Sequence, residues 1–205
     1  MTKKQCQKIV SGYLKGGIGN QLFQIVYTQK IAQDNGFAIE YSTDFFQFDG
    51  YRRTSILERL WPEAVITSTL PAASTAVIDE DTVDWPASAP NSIKMTLPDE
   101  VTHLKIDGYW QDHRILSTEA IQDLQTRLHA CTSAQVQETH KQIRSIKNST
   151  CVHIRRHDYK HHGLVKEKYY IDTLKWLEKQ FGKLEIFVFS DEPNYARHFF
   201  NESRY

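Results

Sequence analysis

The chain has 205 residues and carries 25 lysines and arginines against 25 aspartates and glutamates. That length allows one large or two small domains with a sizeable core, and the balanced charge excludes the basic field that attracts nucleic acid. Cys6, Cys131 and Cys151 are odd in number and far apart, which excludes a disulfide framework and suits reduced thiols in a cytosol.

The start, Met1 to Cys6, is polar and lacks the apolar segment of a secretory signal, and no run reaches the roughly 20 apolar residues of a membrane span. Lys8 to Leu14 predicts a strand. It is followed by Lys15-Gly16-Gly17-Ile18-Gly19 and a helix from Asn20 to Asn35. Leu22, Phe23, Val26, Tyr27 and Ile31 recur there at helical spacing, with Asn35-Gly36 as the stop. The clustered glycines let the backbone turn sharply and approach a ligand, with the N–H groups of the helix start aimed at it. Phe37 to Tyr41 predicts a second strand, and Glu40 at its end stands where a dinucleotide fold carries its ribose-binding acid. Leu22 argues against an NAD-linked oxidoreductase, because the third small residue of that fingerprint belongs there.

Arg53 to Leu60 predicts a short helix ahead of Trp61-Pro62. Val65 to Pro98, rich in Ser, Thr, Ala and Pro, reads as surface loops and short pieces. His103 to Trp110 predicts a third strand, and Ser117 caps a helix reaching about Ala130. A polar helix follows from Ala134 to Ile146, then a strand from Thr150 to Ile154. Lys168 to Phe181 predicts a helix with Tyr170, Leu174, Leu177 and Phe181 on one face and Gly182 at its end. Leu184 to Phe189 predicts a strand, and Asp191 caps a last helix from Pro193 to Phe200. This alternation predicts an α/β protein with parallel sheets, divided near Lys147 to Ser149.

The segment Val152-His153-Ile154-Arg155-Arg156-His157-Asp158-Tyr159 carries the chemistry. Arginine beside a buried strand is costly unless an anion pairs with it. Asp158 can pair with one guanidinium, leaving the other to hold a ligand, and the planar fork of donors suits a phosphate. A loop merely pinned by an Arg–Asp pair is the competing reading of this segment alone. His153, His157, His161 and His162 beside Cys151 match no ordinary zinc spacing and read as solvated, with His153 orienting the arginines. Tyr109-Trp110-Gln111 suits either stacking on a sugar ring or a place in the core.

Gly16 to Gln24 together with His153 to Tyr159 resembles the α-1,2-fucosyltransferases, glycosyltransferase family 11. That family pairs a Gly-Gly-(Leu/Ile)-Gly-Asn-Gln-Leu-Phe-Gln turn with a later His-x-Arg-Arg-x-Asp-Tyr motif. Asp107 to Gln111 and Phe187 to Glu192, the latter after a Tyr169-Tyr170 helix, are weaker matches in the right order. The resemblance covers nearly the whole chain, poorly from about Thr67 to Pro98. His157 stands where the family usually has glycine. The family's Ser/Phe/Trp-rich motif has no counterpart, so the chain resembles the amino-terminal part of such an enzyme.

The resemblance implies a GT-B-like architecture, with residues 1–148 as a Rossmann-like acceptor-side domain and residues 149–205 as a partial GDP-fucose-binding domain. It implies inverting transfer of L-fucose from GDP-fucose to the 2-hydroxyl of a β-galactoside-terminated glycan. No metal or cofactor is expected, and the place of action is the cytoplasm or the periphery of the inner membrane. It assigns Arg155 and Arg156 to the pyrophosphate, where departing GDP gathers charge. His153, Gly17, Gly19 and Gln21 join them in donor binding, and Asn20 and Gln21 lie near the sugar. Ser190 and Asp191 stand where the nucleoside is met, although Asp191 serves equally as a helix cap. Arg155, Asp158 and Asn20 are the catalytic candidates. The base is left open among Asp44, Asp112 and Asp158, the last a poor acceptor if an arginine keeps it ionised. A silent fragment or a sugar- or nucleotide-binding module is the alternative function.

Overall fold

A computed structural model describes residues 7–68, 71–82, 92–157, 159 and 163–203. The chain divides into two compact units, Met1–Cys131 and Thr132–Tyr205. This division falls ahead of Lys147, so the polar helix expected from Ala134 goes with the second unit.

The first unit runs β1 (Ile9–Tyr13), α1 (Ile18–Asn35), β2 (Ala38–Ser42), α2 (Phe45–Phe48), α3 (Leu57–Leu60), β3 (Thr75–Asp79), β4 (His103–Asp107) and α4 (Thr118–Ala130). The four strands are parallel, in the order β2-β1-β4-β3. Successive strand side chains point to opposite faces. Val10, Leu104 and Ile106 therefore share one face and are buried against Tyr27 and Ile31 of α1. Ser11 is in register with Glu40 and Lys105 on the other face. Parallel strands covered on both faces read as unbroken apolar runs. The polar alternation here marks a sheet with one apolar and one polar face.

α1 lies close over β1. A Cβ added to Gly12 would stand 2.4 Å from the Thr28 hydroxyl oxygen and 3.0 Å from the Tyr41 ring. The helix ends as expected at Gly36, in the left-handed region at φ 70, whose N–H reaches the Ala32 carbonyl. A second cluster, Leu14, Ile25, Tyr41, Leu57, Leu60 and Trp61, seats α3. That helix is shorter than the Arg53 to Leu60 segment predicted. The Arg53 N–H is held by the Asp49 carboxylate at 2.9 Å and the Ile56 N–H by Gln21 Oε1 at 2.8 Å, so helical bonding begins only afterwards.

β3 is one short piece within Val65 to Pro98, a segment read as surface loops and short pieces, and the sequence does not mark it as a strand. It is an edge strand in register with β4, Thr75 opposite His103 and Asp79 opposite Asp107. Only Ala76 and Ile78 pack inward, while Val77 is 61% exposed. Two inward side chains are too few to show a period.

The second unit holds α5 (Ala134–Ser145), β5 (Ser149–Ile154), α6 (Glu167–Phe181), β6 (Glu185–Ser190) and α7 (Pro193–Ser203). β5 and β6 pair in parallel, Ser149 with Glu185 and Ile154 with Ser190. Val152, Ile154, Leu174, Leu184, Ala196 and Phe199 form its core. Gly182 ends α6 at φ 83. α7 starts at Pro193, one residue further on than a backbone cap at Asp191 gives. The first turn closes from Ala196 N–H to the Glu192 carbonyl at 3.1 Å, which puts Glu192 at the cap position. No helix among the described residues is long and apolar enough to cross a membrane.

Gly12→Ala tests the close approach of α1. It should cost about 1–3 kcal/mol, as overpacking does, and appear as a lower urea midpoint at unchanged slope. An unchanged midpoint would show that Thr28 turns away freely.

Candidate functional site

In the first unit β1 is followed by β2 on one side and flanked by β4 on the other. The loops that leave β1 and β4 therefore lie side by side beyond the carboxyl ends of the strands, where open α/β sheets hold their ligands. The loops that follow β1 and β4 carry the glycine turn and Asp107 to Gln111, so two of the sequence motifs meet there.

Two glutamines, three residues apart and thus neighbours on one helix face, shape the turn from inside. Gln21 is 1% exposed. Its amide donates to the carbonyls of Gly16 at 3.1 Å and Thr54 at 3.2 Å, and accepts from Ile56 N–H. Gln24 is 2% exposed; it accepts from Lys15 N–H at 3.0 Å and donates to the Gly108 carbonyl at 2.9 Å. The Gln21 side chain is committed to the fold, and Gln24 ties the loop after β1 to the loop after β4.

Asn20 faces outward, and its side-chain oxygen accepts from the Gln111 amide. Gly16 takes the positive φ of the turn, 79, and a Cβ there would stand 2.6 Å from Asn20 Nδ2. Gly17 has an ordinary φ of −75 as the residue before α1. Cβ atoms added at Gly17 and Gly19 would meet nothing within 4 Å. The N–H groups of Ile18, Gly19 and Asn20 precede the first intrahelical bond, from Gln21 N–H to the Gly17 carbonyl, and no side chain caps the helix. The backbone at Gly17 and Gly19 is therefore approachable, as an anion or a sugar hydroxyl would require.

Lys15 pairs with Asp107 at 2.7 Å and lies 5.2 Å from the Tyr109 ring centroid. Lys105 binds the other Asp107 oxygen at 3.0 Å. Burial opposes ionisation of Asp107, but hydrogen bonds from both lysines outweigh it and hold the carboxyl below its ordinary range. Burial likewise works against the Lys15 charge, and Asp107 overcomes it, so that ammonium titrates above its ordinary value. Glu80, from the turn after β3, accepts from Tyr109 N–H at 2.6 Å and Trp110 N–H at 2.9 Å. Nothing in the sequence singles out Glu80, because its partners are backbone groups on another loop.

Among the candidate bases, Asp112 is gripped by Arg114. That guanidinium, aided by the Arg114 N–H, holds the carboxyl below the usual range. Asp44 accepts from the Ser42 hydroxyl at 3.1 Å. Asp158 lies outside the described residues, as do His161 and His162 of the histidine run.

In the second unit the loops after β5 and β6 are tied by Asp191. Its carboxylate accepts from Arg156 N–H at 2.9 Å and His157 N–H at 2.9 Å. The Arg156 guanidinium pairs with Glu192 at 3.3 Å and lies 3.7 Å from the Tyr195 ring centroid. Tyr195 in turn donates to Glu167. Burial first, and that hydrogen bond second, push the Tyr195 hydroxyl up to about 12. Ser190 Oγ accepts from Glu192 N–H at 3.0 Å. Arg155 is exposed, 5.0 Å from the Tyr159 ring centroid, and His153 is exposed on the strand face opposite Val152 and Ile154. The adjacent arginines thus differ in burial: Arg156 is half-buried against Glu192 and Tyr195, and Arg155 is exposed.

No family model matches the chain. It is 26% identical over 220 residues to an α-1,2-colitosyltransferase of Escherichia coli, covering 95% of this chain and 72% of that enzyme. The likeness to a glycosyltransferase therefore extends into both units.

The Lys15–Asp107 pair has a pH signature. A depressed folded carboxyl stabilises above the ordinary Asp value, near 4, and loses that contribution as pH falls through the folded value. A raised lysine stabilises below its ordinary value and loses the contribution as pH rises through the raised one. Asp107→Asn should therefore flatten the fall in unfolding free energy of the parent between about pH 5 and 2, the window in which a depressed Asp titrates. Parallel pH profiles in urea titrations would contradict this assignment.

Proposed function

We propose that the chain is a glycosyltransferase that moves a deoxy sugar, and more specifically L-fucose from GDP-fucose to the 2-hydroxyl of a β-galactoside. The likeness to the colitosyltransferase along 95% of the chain carries this reading. The loop geometry supports it, since each unit ends its parallel strands in a polar, approachable loop pair.

In this reaction the acceptor oxygen bonds to the anomeric carbon as the bond from that carbon to the GDP oxygen breaks. The electron pair leaves with GDP, the hydroxyl proton passes to a base, and the configuration inverts. Charge rises on the pyrophosphate, and a preorganised cation lowers the barrier there. Arg155 fits that task because it is an exposed guanidinium in the loop at the carboxyl end of β5. Arg156 supports it from below through Tyr195 and Glu192, and Asp191 fixes the backbone of both Arg156 and His157. On the first unit, Asn20, Tyr109 and Gln111 offer an amide pair and a ring edge suited to sugar hydroxyls and a pyranose face.

Incubation with GDP-fucose and lactose should give a fucosylated trisaccharide by mass spectrometry, and the yield should survive a chelator. Absence of product from GDP-fucose and from other GDP-linked deoxy sugars would refute the assignment. Arg155→Lys should lower turnover about a hundredfold or more with the fold intact, because an ammonium cannot reproduce the two-pronged contact with phosphate. Arg156→Ala should in addition lower the thermal midpoint, since it strips the Tyr195 face and the Glu192 carboxylate of their partner.

A further inference from the structure

The loop after β4 bends sharply. Gly108 has φ 156 and Trp110, not a glycine, has φ 55. Trp110 is 1% exposed and stacked on Tyr27 at 4.2 Å with planes 7° apart, so its indole points into the core. Its neighbours Tyr109 and Gln111 are consequently turned outward, Tyr109 being 42% exposed and Gln111 bonded to Asn20. A left-handed tryptophan carries backbone strain that its surroundings must override.

Glu80 supplies the restraint. One carboxylate oxygen takes Tyr109 N–H and the other Trp110 N–H, so both consecutive donors of the bend are fixed by one anion. Charge-assisted bonds of this kind are shorter and stronger than neutral ones. The contact is also close: a Cβ on Gly108 would stand 2.5 Å from Glu80 Cβ and 2.9 Å from the Trp110 ring. Glu80 sits at the end of the edge strand, outside every motif, and reaches no outward-facing side chain of the loop.

We infer that Glu80 is a positioning residue for acceptor binding: it holds the Tyr109 ring and the Gln111 amide over the glycine turn, where a sugar would dock. The inference rests on the glycosyltransferase reading for the identity of the ligand. Glu80 touches no reacting atom, so its influence falls on how well the acceptor is held.

Glu80→Gln keeps the shape of the side chain but leaves one backbone N–H facing an amide NH2 group. Assayed on the whole chain with GDP-fucose and lactose, it should raise the lactose KM on the order of tenfold or more, as a misplaced binding group does, with kcat and the GDP-fucose KM little changed. A residue that only stabilised the fold would lower the amount of active protein and leave the lactose KM alone. Combining Glu80→Gln with Tyr109→Ala should raise the lactose KM by clearly less than the product of the two single effects, because part of the Glu80 effect passes through the Tyr109 ring. An unchanged lactose KM, or effects that multiply in the double variant, overturns the inference. Saturation-transfer NMR with lactose separates the two failures. A parent that binds lactose as strongly as its Glu80→Gln variant refutes the role of Glu80 alone. A parent with neither transfer nor lactose signal refutes the glycosyltransferase reading and this inference together.

Discussion

Parallel strands end together, and the loops that leave them carry backbone groups that no longer belong to the ladder. Where such loops are buried, each N–H and carbonyl still needs a partner. In the first unit Gln24 meets this requirement for both loops at once, accepting from Lys15 N–H and donating to the Gly108 carbonyl. Gln21 does the same between the turn and the segment ahead of α3. With the inner face of the turn satisfied in this way, Asn20 and the backbone of Gly17 and Gly19 can face outward. An apolar side chain at Gln24 would leave two buried backbone groups unpaired, at about 1–3 kcal/mol each.

Both units also use one device that no local pattern announces. A carboxylate in the loop after one parallel strand accepts two consecutive N–H groups in the loop after its neighbour. Glu80 does so for Tyr109 and Trp110 across β3 and β4, and Asp191 for Arg156 and His157 across β5 and β6. In each case exposed side chains stand at or beside the clamped pair, Tyr109 and Gln111 in the first unit and Arg155 and His157 in the second. A short acidic side chain at a strand end is well suited to this, because it spans the inter-strand distance of about 5 Å and fixes two donors at once.

The strongly periodic elements were legible in the chain. The helix stop at Gly36, the Ser117 cap, whose hydroxyl accepts from Ala120 N–H at 3.1 Å, and the Gly182 stop all stand where local chemistry predicts them. β3 escaped because an edge strand with two inward residues shows no period. The helix ahead of Trp61 came out short where a distant partner, Gln21, takes the Ile56 N–H that a helix from Arg53 would bond within itself. Asp191 looks like a cap by its place ahead of Pro193, and adjacent residues do not announce that its carboxylate accepts from two amides on another loop.

Residue types alone singled out the glycine turn and the paired arginines, and the family resemblance added the segments Asp107 to Gln111 and Phe187 to Glu192. Glycine runs, paired arginines and helix starts express local constraints, on φ, on charge burial and on unpaired N–H groups, and a local constraint is written in adjacent letters. The role of each letter within a motif was decided by the tertiary structure. Of two neighbouring amides Asn20 faces out and Gln21 is buried, of two glycines Gly16 takes the left-handed turn and Gly17 does not, and of two arginines Arg156 is half-buried while Arg155 is exposed. Those choices depend on partners that the parallel sheet brings together from far along the chain, Thr54, Gly108, Glu192 and Tyr195 among them. No reading of neighbouring residues contains them.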